Sequence, residues 1–149
     1  MIQRRIISRQ ELTNLSAQIA EIEKNTSAEI RVVVRHRKHW SERKLTARQV
    51  AEREFVLLGM SKTDNRSGIL VFILVSERQF ELLADSGVVK VLPDEYWTSV
   101  AQKLSEHFSK SNFYHGLTMS LSEIGTILKD KLPAAGGKSN ELPNDIIEE

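Results

Sequence analysis

Apolar positions along this chain switch between a helical period and a strand period, and each switch marks an element. Leu12, Leu15, Ile19 and Ile22 recur at steps of three and four behind Ser8 and Glu11, which have capping-box spacing, so a first amphipathic helix is predicted to about Lys24. Asn25-Thr26-Ser27 ends it. From Ala28 to Arg35 the period becomes two, with Ile30, Val32 and Val34 on one side against Glu29, Arg31, Val33 and Arg35, which predicts a strand. Thr46 and Gln49 repeat the capping box and open a helix with the stripe Val50, Ala51, Phe55 and Leu58, and Gly59 stands at the C′ position. The run from Gly68 to Val75 is too short to cross a bilayer and rich in β-branched side chains, so it reads as a strand buried on both faces. Past Ser76-Glu77-Arg78, Phe80 and Leu82 share a parity, which predicts an antiparallel return strand. Pro93-Asp94-Glu95 starts a helix carrying Trp97, Val100, Ala101, Leu104 and Phe108. A last helix, from about Tyr114 to Leu132, buries Leu117, Leu121, Ile124 and Leu128 before Pro133 and Gly136-Gly137.

A strand buried on both faces needs cover above and below. The two long strands are separated by a helix-bearing connection, which calls for a parallel crossover, whereas the return strand is antiparallel. The expected fold is therefore α/β: a three-layer α/β/α sandwich with a small mixed β-sheet and four helices around at least three strands. At 149 residues with 40% hydrophobic content, one domain over residues 1–132 is expected, followed by an acidic flexible tail at 133–149. The absence of cysteine excludes disulfides, thiolate metal sites and a cysteine nucleophile. No export signal or transmembrane run is recognised, so a cytoplasmic location is expected, with a peripheral membrane association compatible with it. Net charge is +1, but residues 133–149 carry one lysine and four acids, leaving a basic body and an acidic end that can shield it or bind a partner.

Three groups of residues could carry chemistry. Asp64, Asp85 and Asp94 lie at strand or helix ends, the first two expected on one rim of the sheet, and carboxylates at strand ends suit hard cations such as calcium or magnesium. Turn capping is the plainer account. A phosphoester hydrolase on that rim would use Asp64 or Asp85 as nucleophile or ligand, with Arg66 or Arg78 on the phosphate. The basic stretch Arg35, Arg37, Lys38, Arg43 and Lys44 with Trp40 is a handle for anionic lipid headgroups or nucleic-acid phosphates, the commoner outcome being a solvated loop with Trp40 packed on the body. His36 and His39 on the same stretch could ligate a metal but lack neighbouring ligands, and His107 and His115 read as helix-end or surface residues.

The ordered set Ala28-Glu29-Ile30-Arg31-Val32-Val33-Val34, Ala51-Glu52-Arg53-Glu54-Phe55, Leu58-Gly59-Met60, Arg66-Ser67-Gly68-Ile69-Leu70, Glu77-Arg78-Gln79-Phe80, Leu83-Ala84-Asp85-Ser86-Gly87 and Phe113-Tyr114-His115-Gly116-Leu117 resembles the TPM domain family. With the closing Asn140-Glu141-Leu142-Pro143-Asn144 it resembles a branch of short bacterial proteins in particular. The resemblance implies the α/β/α fold above and a binding or accessory module, cation-binding and associated with a membrane or a protein complex. It also implies an alternative, a weak cation-dependent acid phosphatase, since relatives include such activity, receptor accessory roles and calcium binding. Because relatives work at membranes, it ranks a membrane surface ahead of nucleic acid for the basic loop. Relatives commonly carry Asp-Asn-Gly before the central strand; here Arg66 and Ser67 follow Asp64-Asn65, and an arginine there is expected to repel a cation.

Overall fold

Two parallel strands, β1 (Glu29–Arg35) and β2 (Gly68–Leu74), form the centre of the computed structural model, which describes residues 6–109, 113–134, 142–144 and 146–149. Every residue of both strands is buried, as two-sided cover of a central strand requires. β3 (Gln79–Ala84) returns antiparallel on β2, and β4 (Ile147–Glu148) adds parallel to β1, giving the order β3-β2-β1-β4. The sheet is mixed, as expected.

The helices follow from their caps. Ser8 and Thr46 each close a capping box at the starts of α1 (Arg9–Glu23) and α2 (Ala47–Leu57), satisfying amides that would otherwise lack partners. Gly59, at φ 73°, takes the left-handed position after α2 that a side chain would strain. A short α3 (Ser86–Val89), not expected from the sequence, is capped by Asp85; α4 (Asp94–Ser109) and α5 (Phe113–Lys131) follow.

The two faces of the sheet are covered unequally. Ile30, Val32, Val34, Ile69, Val71, Ile73, Phe80 and Leu82 pack beneath α1, α4 and α5, whose Leu15, Ile19, Trp97, Leu104, Leu117, Leu121 and Leu128 are buried with them. On the other face Val33, Leu70, Phe72, Leu74 and Leu83 meet α2 through Val50 and Ala51, with Met60 and Leu142 completing the cluster.

Where it is described, the C-terminal segment packs against the body. Pro133 bridges to Thr26, Leu142 is buried in the second cluster, and Ile147–Glu148 pairs with Val33 and Val34. The Glu149 amide donates to the Val34 carbonyl and the His36 amide to the Glu149 carbonyl, both at 2.7 Å, so this segment uses backbone groups that an open edge would leave bare. Residues 135–141 and 145 lie outside the described residues. No helix among the described residues is long and apolar enough to cross a membrane.

Candidate functional site

The loop that leaves the carboxyl end of β1 has a pinned root and an exposed tip. At the root, Arg35 is 2% exposed and its guanidinium meets three carboxylates. Its Nη1 donates to Glu42 Oε1 at 2.6 Å, Nη2 donates to Glu54 of α2, and Nε lies 3.2 Å from Glu149 Oε2, a charge contact without hydrogen-bond alignment. Burial pulls the Arg35 pKa down, but the hydrogen bonds it donates to Glu54 and Glu42, with the charges of those carboxylates, outweigh it and hold the group above its ordinary value. Burial pushes Glu42 up, yet the His39 amide and Arg35 hold its carboxyl below the usual range. His36 Nε2 lies 2.8 Å from Glu148 Oε2, and Lys38 Nζ pairs with Glu77 at 2.8 Å, tying the loop to the turn after β2.

Beyond this root Arg37, Trp40, Arg43 and Lys44 are exposed. Trp40 is 77% exposed instead of packing on the body. The Arg43 guanidinium sits 3.7 Å from its ring centroid and donates to the Trp40 carbonyl at 3.2 Å, so the indole is oriented by a cation and not by the core. Arg35, named with the surface cations on sequence grounds, is withdrawn from the surface because its parity points it into the α2 face. Lys38 is largely committed to Glu77.

The opposite end of the sheet carries the aspartate rim. Asp64 is exposed in the turn before β2, and Asp85 ends β3 beside it: the Gly87 amide donates to the Arg66 carbonyl at 2.8 Å, and a Cβ on Gly87 would stand 2.2 Å from the Asn65 carbonyl oxygen. Asp85 Oδ1 accepts from the Ser86 amide at 2.7 Å, while Oδ2 is sequestered without a hydrogen bond and lies 3.9 Å from Arg66 Nη1. Arg66 adopts φ 51°, a conformation a glycine would take without strain. Asp94 is not on this rim; it borders a cavity of about 350 Å3 with Arg48, Phe80, Leu82 and Trp97. Arg78 stands at the far end of β2, about 20 Å away at the usual rise per residue, so of the two arginines only Arg66 can share a ligand with Asp64 or Asp85. Among the described residues no three His, Asp or Glu side chains form a metal-holding group.

Sequence reasoning missed the acids around Arg35. One signal was present: Glu54 falls on the spacing of Val50 and Ala51, the buried stripe of α2, where Val56 and Leu57 are exposed.

Comparison with known proteins follows the same outline. The model of the TPM domain family matches residues 2–127. The solution structure of the BA42 protein from the psychrophilic bacterium Bizionia argentinensis is 26% identical and superposes with a TM-score of 0.86, over 99% of each chain. The N-terminal domain of a protein from P. gingivalis is 17% identical with a TM-score of 0.71, over 85% of this chain and 79% of that one. The N-terminal domain of the cg2496 protein from Corynebacterium glutamicum is 14% identical with a TM-score of 0.62, over 91% of this chain and 80% of that one. The last two likenesses show the fold alone. No curated protein matches the chain.

Proposed function

Because the chain belongs to the TPM domain family, we propose that it is a non-catalytic accessory module that docks reversibly on an anionic membrane surface through Arg37, Trp40, Arg43 and Lys44. The observation that carries this reading is Trp40, held outside the core at 77% exposure under Arg43, on a loop anchored by the Arg35 and Lys38 ion pairs. Three cations near an anionic headgroup layer supply about 3 kcal/mol together, and one interfacial indole adds to this. Such attraction is weak and reversible, which suits an accessory that has a second attachment to its complex. Flotation with phosphatidylcholine vesicles, with and without phosphatidylserine, tests it. Binding is expected only with phosphatidylserine, screened by salt, and lost in Arg37→Glu with Arg43→Glu. Trp97 is buried, so a blue-shifted emission reports Trp40 and disappears in Trp40→Phe. Binding that survives the charge reversal removes the loop as its cause, and a shift with oligonucleotides but not vesicles transfers the loop to nucleic acid.

A second reading concerns the aspartate rim, favoured by the sequestered Asp85 Oδ2. Calcium or magnesium would be held by Asp85 with Asp64, against competition from the Arg66 guanidinium. Calorimetric titration is expected to give tighter binding in Arg66→Gly and none in Asp85→Ala. Heats near zero in the parent and in Arg66→Gly dismiss the cation, and with it a cation-dependent phosphatase on this rim.

A further inference from the structure

The two edges of the sheet are treated differently. On the β1 edge the Ile30 amide is taken by the Glu23 carboxylate at 2.7 Å, and the His36 amide by the C-terminal segment. On the β3 edge the register pairs Gly68 with Asp85 through a hydrogen bond, so alternate β3 residues, Phe80, Leu82 and Ala84, turn their backbone groups outward. Among the described residues these three amides have no partner, and one outward carbonyl, that of Leu82, accepts from Arg48 Nη1 at 3.2 Å. An edge with free amides is a template for strand addition.

Two cavities flank this edge, one on each face of the sheet. On the α2 side a cavity of about 360 Å3 is lined by Lys38, Lys44, Arg48, Glu77, Gln79 and Glu81, beside the start of α2. Lys38 is paired with Glu77 at 2.8 Å and Arg48 with Glu81 at 3.5 Å, which leaves Lys44 as the cation of this lining without an ion-pair partner among the described residues, and the helix amino terminus adds partial positive charge. On the α4 side the cavity that holds Asp94 has Phe80, Leu82, Trp97 and Ala101 as its apolar lining. Arg48 and Glu81 border both. Side chains of an added strand point alternately to the two faces, so every second one enters the cationic cavity and the others the apolar one.

From this we infer that the β3 edge binds an extended peptide segment of a partner protein in which acidic and apolar residues alternate. Its backbone pairs with Phe80, Leu82 and Ala84, its amide replaces Arg48 at the Leu82 carbonyl, and the guanidinium, which lies 3.5 Å from Glu81 in the free protein, bridges Glu81 and an acidic side chain of the peptide.

The probe is a blocked six-residue peptide of alternating Glu and Val, followed by amide exchange in the full chain. Saturating peptide is expected to slow exchange of the Leu82 and Ala84 amides by about tenfold or more. The same peptide with alternate backbone nitrogens methylated is expected to lose the effect, and Arg48→Glu to weaken binding of the Glu-Val peptide by about tenfold, one charge contact's worth. Equal binding of the methylated peptide, equal or tighter binding of a Lys-Val peptide, or no protection at millimolar peptide overturns the inference. Protection that appears without peptide and grows with protein concentration also overturns it, since the occupant is then the β3 edge of a second copy.

Discussion

The three-helix face and the α2 face of the sheet are built from the same strands by opposite means. Beneath α1, α4 and α5, β1 contributes Ile30, Val32 and Val34, and burial of apolar surface is the main account. Toward α2 the same strand contributes Glu29, Arg31, Val33 and Arg35, all buried, with Arg31 only 9% exposed and its Nε without a hydrogen bond. Charges in that position are tolerable only when matched, which is what Glu42, Glu54 and Glu149 do for Arg35. The three-helix face is held by apolar volume, and the α2 face by a smaller apolar cluster together with charge complementarity. The charged face is also the one that places the exposed loop, because the pairs around Arg35 fix where β1 ends and the loop begins.

The largest expected effect breaks the charged face. Arg35→Ala strands Glu42 and Glu54 as buried carboxylates and should cost about 3–5 kcal/mol in urea unfolding. The combined Arg35→Met, Glu42→Gln and Glu54→Leu variant should lose much less, because the one carboxylate it leaves without Arg35, that of Glu149, is 39% exposed and stays solvated; equal losses would mean the cluster acts by packing. On the apolar face, Leu121→Ala should cost about 2–5 kcal/mol through its cavity, and that loss should not vary between pH 4 and 8, within about the usual working range.

Acid sharpens the contrast. The Glu42 carboxyl is held below its ordinary value in the fold, so its stabilisation is complete above the ordinary carboxylate pKa and is lost as pH falls through the depressed one. Hydrogen exchange should therefore accelerate at the carboxyl end of β1 and in α2 before it does in α1 and α5, and Glu42→Gln should abolish the difference. Alkali works on the other face: burial, with the Glu123 charge, pushes Tyr96 up to about 12. Its neutral form is favoured in the fold, so that contribution is present below the unfolded phenol pKa and disappears as pH rises toward 12, which absorbance titration reads. The smallest effect is Arg66→Gly, expected to stabilise the turn leading from the α2 side into β2 by about 1 kcal/mol through relief of its left-handed backbone. A destabilised variant would show that the Arg66 contacts with Asp85 and Ser61 outweigh the strain.

Periodicity and caps determined the central strands, the return strand and the four long helices, because each depends on neighbours within a few positions, and the helix-bearing connection between β1 and β2 then called for the mixed sheet. Ser8, Thr46 and Gly59 act where their own backbone needs them, and the unbroken apolar run of β2 admits no solvent-facing solution. Only the tertiary structure decided the rest. The alternation of β1 reads as one wet face until Glu42 from the following loop, Glu54 from α2 and Glu149 from the C-terminal segment arrive to neutralise Arg35. Ile147–Glu148 is too short to announce a strand and becomes one by borrowing the hydrogen bonds of β1. The exposure of Trp40, the withdrawal of Arg35 and the separation of Arg78 from the aspartate rim are likewise facts of packing. A residue's composition states which interactions it can make; which partner lies within reach is set by the folded chain.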